Sequence, residues 1–361
     1  MIDQLVDMAI QIQQIPSPTF SESTKGKTIA QLFGFTQLTQ IQTDDAGNVL
    51  ACLPGTGNRA PLIISAHMDT VFPIYTALNI RREQGKIYGP GIGDNSMGVA
   101  GLFGILQAVR ERNFQAPGDI WFVANTGEEG LGDLCGMKAL VERFGSTPIA
   151  YLVLEGMAFG HIYHRAVGVQ RYKISVHTNG GHSWSDYGAP SAIHELSNLI
   201  TQIASLELPS HPHTTLNVGR TGGGTSINTI AAEAWMELDL RSEEQTSLLQ
   251  LVERVKKLVN QARTEGVTIE MTPIGQRPSG EIPADHPIIR LAQSCLIEQG
   301  IEPVLTIGST DANIPLSKGF PAIVLGLTHG GGAHTTNEYI ETTQLEQGLE
   351  HIVQFVCRVW D

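Results

Sequence analysis

The sequence predicts an α/β protein: a mostly parallel sheet flanked by helices, interrupted by an inserted two-layer βαββαβ domain. Three observations lead there. Compact apolar runs of strand length alternate with longer periodic runs in the first and last parts of the chain, the pattern of a parallel sheet covered on both faces. The middle part orders its runs as strand, helix, strand, strand, helix, strand, the split-βαβ arrangement of a small domain. Acidic and imidazole side chains follow the outer apolar runs at their carboxyl ends, where open α/β sheets bind ligands.

Taken in order, Met1 to Ile15 spaces Ile2, Leu5, Val6, Ala9 and Ile12 along one helix face. Asp3 and Asp7 interrupt it and no basic start precedes it, so it does not read as a signal peptide. Pro61–Ala66, Ile120–Ala124 and Ile149–Leu154 read as buried strands, separated by helices near 97–112 and 133–144. The apolar stretch Val99–Leu106 is far too short to cross a bilayer. In the middle, Tyr172–Val176 alternates, 190–205 is helical, Thr215–Val218 and Ala234–Leu240 are strand-like, 243–263 is an amphipathic helix and Val267–Met271 is a last strand. A helix at 286–299, strands Val304–Ile307 and Ala322–Leu325, and a helix at 343–359 end the chain. One domain is therefore expected from residues 1–166 and 274–361, with the second inserted at 167–273.

Composition narrows the function. At 361 residues and 41% hydrophobic, the chain can bury two sizeable cores. Its 23 basic against 36 acidic residues leave a net charge of −13, which disfavours nucleic acid and anionic membrane surfaces as partners. Cys52, Cys135, Cys295 and Cys357 form no close pair and no C-x-x-C, so free thiols in a reducing, cytoplasmic setting are expected.

The chemistry gathers behind the strands. His67-Met68-Asp69 follows the first, Asn125-Thr126-Gly127-Glu128-Glu129-Gly130 the second and Glu155-Gly156 the third, while a loop with His329 and His334 follows Ala322–Leu325. Asp94 closes Gly89-Pro90-Gly91-Ile92-Gly93-Asp94, just before a helix. Singly, Asp94 reads as a helix cap and Glu128-Glu129 as a solvated loop. Jointly they put acids and imidazoles on one sheet edge that has no structural need of them. A dinucleotide reading of the glycine run fails, because the third glycine of G-x-G-x-x-G falls on Ser96. Histidine with carboxylates and no cysteine suits Zn²⁺, Co²⁺ or Mn²⁺. In an extended backbone His67 and Asp69 share a face, so Asp69 can bond the far imidazole nitrogen and fix its tautomer. Adjacent Glu128 and Glu129 point apart, one free to bind metal and one to face a water. Spacing alone leaves His329 and His334 equivalent.

His67-x-Asp69, Gly91-x-Gly93-Asp94, Glu128-Glu129-Gly130, Glu155 and Gly332-Ala333-His334-Thr335-x-x-Glu338, in that order, resemble one family across essentially the whole chain. It is the dinuclear-zinc exopeptidase and deacylase family of glutamate carboxypeptidase, tripeptidase T, acetylornithine deacetylase and succinyl-diaminopimelate desuccinylase. The resemblance implies two divalent ions, with Asp94 bridging, His67 and Glu155 completing one site, and Glu129 and His334 the other. It implies Glu128 as general base, Asp69 as the partner of His67, and a cis peptide at Asp94–Asn95. It selects His334 over His329. The inserted domain resembles the family's lid or dimerisation domain, which implies a homodimer. Within it, His182 in Gly181-His182-Ser183 resembles the histidine that stabilises the oxyanion from the partner subunit, and Asn228 and Arg277 resemble residues that hold the substrate's carboxylate.

Two departures stand out. Ser96 and Met97 occupy positions where many relatives have Lys and Gly. Gly308-Ser309-Thr310-Asp311-Ala312-Asn313 and the run from His334 to Tyr339 look like tripeptidase T, whereas Glu155, in place of Asp, looks like carboxypeptidases and deacylases. The resemblance thus implies a hydrolase of small peptides, with an N-acyl-amino-acid deacylase as the alternative; either substrate carries a free carboxylate. A non-catalytic binding homologue is the alternative from another class, and the retention of Glu128 and all five ligand positions weighs against it.

Overall fold

Leu62, Ile63 and Ile64 are wholly buried in consecutive positions, as expected of a strand whose sheet is covered on both faces. They lie in Arg59–His67, inside a nine-stranded sheet of a computed structural model that describes all residues from Met1 to Asp361. Gly118–Asn125, Arg59–His67, Ala150–Glu155 and Ala322–Gly326 are neighbours in that order, and all three pairings are parallel. Their carboxyl ends therefore share one edge. The sheet packs against helices, among them Gly98–Glu111, which touches Arg59–His67, Gly118–Asn125 and Ala150–Glu155.

The edges of this sheet differ from the sequence expectation. Val49–Leu53 joins Gly118–Asn125 antiparallel, and Thr39–Thr43 joins Val49–Leu53 in the same sense. His161–Ala166 pairs antiparallel with Ala322–Gly326, and Val304–Gly308 pairs with His161–Ala166 rather than with the central strands. Thr-Gln-Ile-Gln-Thr at 39–43 is mostly exposed, so it has no apolar run to announce it. A helix at Ser23–Gly34 is likewise unannounced, with a polar composition and only Lys25, Gly26, Ile29 and Phe33 buried.

The chain divides into two compact units, Met1–Ala166 with Glu281–Asp361, and Val167–Gly280. Each has its own apolar core. In the second unit, Thr214–Gly223, Glu233–Ser242, Gly168–His177 and Thr268–Arg277 form an antiparallel sheet in that order. Glu233–Ser242 alternates buried and open positions, as a sheet with one covered face requires. Helices Ala192–Ala204 and Gln245–Gln261 pack on this sheet, so the connectivity is βαββαβ. The boundary expected at 273 falls inside Thr268–Arg277. This edge strand tolerates the missing N–H of Pro273, and the register slips between Pro273 and Gly275. No helix is long and apolar enough to cross a membrane.

Candidate active site

Because the four central strands run the same way, their last residues deliver the site. His67 ends its strand opposite Asn125, and Glu155 ends its own opposite Gly326. Glu128 and Glu129 follow Asn125 at once, and Asp94 lies in the turn Ile92–Met97 ahead of helix Gly98–Glu111. Gly91 supplies a φ of 71° there, cheap only for glycine. A Cβ on Gly156 would run into the Gly93 carbonyl, so the loop carrying Asp94 and the end of the Glu155 strand meet backbone to backbone.

Asp94 divides its carboxylate between two imidazoles. Oδ1 lies 3.1 Å from His67 Nε2 and Oδ2 lies 3.1 Å from His334 Nε2. Glu155 Oε2 is 3.9 Å from His67 Nε2, and Glu129 Oε1 is 3.2 Å from His334 Nε2. Two groups capable of holding an ion result, His67 with Asp94 and Glu155, and Asp94 with Glu129 and His334, each with ligand atoms within 4.8 Å of one another. Glu128 groups with His67 and Glu129 on the same terms and is buried. The Asp94–Asn95 peptide is cis.

The charge balance shows what this cluster lacks. Burial opposes ionisation of Asp94, but hydrogen bonds from His334 and His67 hold its carboxyl below the ordinary range. Burial also opposes charge on His67, yet bonds to Asp69 and Asp94 lift it well above the usual imidazole value. Hydrogen bonds to Asp94 and Glu129 push His334 up to about 10, and desolvation drives Glu155 well above its normal range. The acids are drawing protons onto any base within reach. Asp94, Glu128, Glu129 and Glu155 bring four carboxyl groups together, an acidic set that two divalent cations would complement. Imidazole and carboxylate donors without thiolate suit such ions. The residues present fit a dinuclear centre.

Asp69, together with several side chains that the sequence did not single out, holds this set in place. Asp69 accepts the Glu128 N–H at Oδ1 (3.0 Å) and the Glu129 N–H at Oδ2 (2.9 Å), with Thr19 Oγ1 donating to Oδ2 at 3.0 Å. Toward His67 its nearer atom is the backbone carbonyl, 3.2 Å from Nδ1, while Oδ1 stands at 3.5 Å. Asp69 thus fixes both the imidazole and the Glu128–Glu129 backbone, a second duty that its spacing does not reveal. Glu22 accepts the Gly127 N–H at 3.3 Å. Lys25 is 2% exposed, and burial brings its amine down to about 8 against the pull of Asp69 and Glu22. Asn95 donates to Leu154 O (2.8 Å) and accepts from Gly156 N (3.0 Å), bracketing Glu155. His329 packs its ring on Phe159, centroids 5.3 Å apart, and belongs to neither ion-holding group.

In the second unit His182 and Asn228 meet at one corner. Gly181–His182 pairs with Thr229–Ile230, and Ser183 N donates to Asn228 O at 3.0 Å. His182 Nδ1 accepts the Trp184 N–H at 3.2 Å, which places the proton on Nε2 and leaves that nitrogen a donor. Arg277 does not join them. It is buried at the end of its strand opposite Val169, whereas the corner follows His177 at the other end of Gly168–His177. Eight residues at roughly 3.3 Å each separate the two by roughly 26 Å, so Asn228 and Arg277 of one chain cannot grip one carboxylate.

Comparison with known proteins supports the same conclusion. The family model described as peptidase family M20/M25/M40 matches residues 63–358. The chain is 24% identical to the succinyl-diaminopimelate desuccinylase of Corynebacterium glutamicum, over 98% of this chain and 97% of that one. Its fold matches a tripeptidase of Staphylococcus aureus with a TM-score of 0.84, 23% identity and coverage of 99% and 98%. It also matches a Bacillus subtilis protein described as a dinuclear metal-binding peptidase, with a TM-score of 0.70, 16% identity and coverage of 99% and 97%.

Proposed function

This chain belongs to peptidase family M20/M25/M40 and is a metal-dependent hydrolase of peptide or amide bonds, and on that basis we propose that it is an exopeptidase of small peptides. The observation that carries the reading is Asp94, whose two oxygens each face a different imidazole beside the buried Glu128. His67, Asp94 and Glu155 would hold one divalent ion, and Asp94, Glu129 and His334 the other. Zn²⁺ is the ion we propose, since imidazole and carboxylate suit it, with Co²⁺ or Mn²⁺ as substitutes. When bound, the two ions supply Lewis acidity at the scissile carbonyl and acidify the attacking water. Glu128 takes the proton of that water and returns it to the leaving amine. Asp69 keeps the His67 imidazole and the Glu128 backbone in place throughout.

His182 Nε2 would donate to the oxyanion, and Arg277 and Asn228 would hold the substrate's carboxylate end. A tripeptide extends only about 3.5 Å per residue, much less than the distance between Arg277 and the His182–Asn228 corner. Two copies of the chain answer this: Arg277 serves one site together with His182 of the partner subunit and Asn228 of the partner subunit, in a homodimer formed through the inserted unit. His182→Ala should lower kcat by about 10²-fold or more, as loss of an oxyanion donor does, with metal content unchanged by elemental analysis. Mixing it with a Glu128→Gln protein should then restore part of the activity. If subunit exchange is verified and the mixture stays inactive, the trans arrangement is wrong.

The family's fold neighbour among tripeptidases favours peptides, while the desuccinylase relative gives the second reading, an N-acyl-amino-acid deacylase. A side-by-side panel of dipeptides, tripeptides and N-acetyl or N-succinyl amino acids decides between them. The highest kcat/KM is expected on peptides with a free carboxyl terminus, with a clear loss on their amidated forms. The reverse ranking would make the protein a deacylase. The four unpaired cysteines fit work in a reducing cytoplasm.

A further inference from the structure

We infer that Glu338 is a positioning residue that locks Asp94 and the His334 loop into one frame, so that both metal positions depend on it together. The inference rests on reading Asp94 as the shared ligand. Glu338 is wholly buried, and a carboxylate persists in such a place only when its lone pairs are filled. Here three backbone N–H groups fill them. Gly93 N and Asp94 N each donate to Oε1 at 2.7 Å, and Gly91 N donates to Oε2 at 3.1 Å. Backbone amides converging on one carboxylate in this way form a nest, and Gly91 enters it in a left-handed conformation.

Register explains why this acid finds that loop. Tyr339–Glu341 pairs antiparallel with Lys86–Tyr88, Tyr339 opposite Tyr88. Glu338 therefore comes level with the residues just after Tyr88, and Gly89 N donates to its carbonyl at 2.9 Å. On the other side, Glu338 N donates to Thr335 O at 3.2 Å and Thr335 N to Gly332 O at 3.0 Å, closing the turn that carries His334. His334 needs that closure: its φ is 65° and its side chain is 55% exposed, so packing alone does not fix it. Asp94 needs the other grip, because a carboxylate shared between imidazoles at 3.1 Å on either side tolerates little rotation of its backbone. Both Glu338 oxygens are spent on amides, so the residue acts through Asp94 and not as a ligand.

The test compares full-length parent, Glu338→Gln and Glu338→Asp, stripped of metal and titrated with Zn²⁺ by calorimetry and with Co²⁺ by visible absorption. Tm of each metal-free protein is recorded alongside. Gln keeps the shape but must turn an NH₂ toward one of the three amides. Affinity should fall at both positions together, by roughly 10- to 100-fold, as for loss of a side chain that orients ligands. Glu338→Asp keeps the carboxyl group but falls short in reach, and should lie between Gln and parent. It also serves should the Gln protein not fold. If the folded variants bind both ions within about twofold of the parent, whatever their Tm, Glu338 is merely structural and the inference fails. Weakening of one position alone overturns it too. A parent that saturates below two ions fails the dinuclear reading itself, which the parent titration shows before any variant is compared.

Discussion

Glu128→Gln should leave the fold and both metal positions intact while lowering kcat by at least about 10²-fold, the lower end of what a general acid–base contributes. Gln matches Glu in size and keeps an acceptor oxygen, but it cannot take and return a proton at neutral pH. The neighbouring Glu129→Gln should behave differently. Asp69 pins both backbone N–H groups, at 3.0 and 2.9 Å, and from that anchor Glu129 reaches His334 at 3.2 Å while Glu128 stays buried beside His67. Removing the Glu129 charge should therefore weaken one ion first, with activity partly recovered in excess metal. Paired measurements of kcat and bound metal for the two variants separate the roles. A Glu128 change that strips metal while the Glu129 change spares it would show the two carboxylates assigned backwards, and indifference to both would return them to an ordinary loop.

The fold was legible where burial is two-sided. Leu62–Ile64, Ile120–Ala124 and Leu152–Leu154 are unbroken apolar runs, because each strand lies inside a sheet with helices on it. The flanking strands escaped for the same reason in reverse. Thr39–Thr43 is an exposed edge, and in His161–Ala166 buried Ile162, His164 and Ala166 alternate with open positions occupied by His161, Tyr163 and Arg165, so neither makes a run. The last strand of the inserted unit runs past Val267–Met271 to Arg277, through Pro273 and a slipped register that leave no apolar run to announce it.

At the site, the residues with ligand chemistry were legible and those that hold them were not. His67, Glu128, Glu129 and Glu155 announce themselves by type and by placement after strands, Asp94 by its place before a helix, and His334 only through the family resemblance that selects it over His329; the geometry brings all six together. Thr19, Glu22 and Lys25 sit in the turn before helix Ser23–Gly34 and in its first residues, and only their approach to Asp69 and the Gly127 N–H gives them meaning. Glu338 stood within a quoted motif, yet its work depends on strand register with residues some 245 positions away, which spacing cannot reveal. The family resemblance groups Arg277 with Asn228, and register sets them toward opposite ends of the inserted unit's sheet within one chain.

Asp94→Ala should abolish tight binding at both metal positions at once, the largest effect on metal content expected from any single change. Each of the two groups able to hold an ion has three side chains, and Asp94 is the one they share. Its loss leaves His67 with Glu155 on one side and Glu129 with His334 on the other, two side chains apiece, and removes one of the cluster's four carboxyl groups. Loss of a residue that merely orients a ligand costs about 10- to 100-fold in affinity, so loss of a shared ligand should cost at least about 10²-fold at each position. Asp94→Asn refines the test. It keeps an oxygen for one imidazole's ion but presents an amide to the other, so one position should survive weakly and the second should empty. Calorimetric titration with elemental analysis after dialysis reads both variants. If Asp94→Ala empties only one position and leaves the other at parental affinity, the carboxylate does not bridge, and the 3.1 Å approaches to His67 and His334 are ordinary ion pairs.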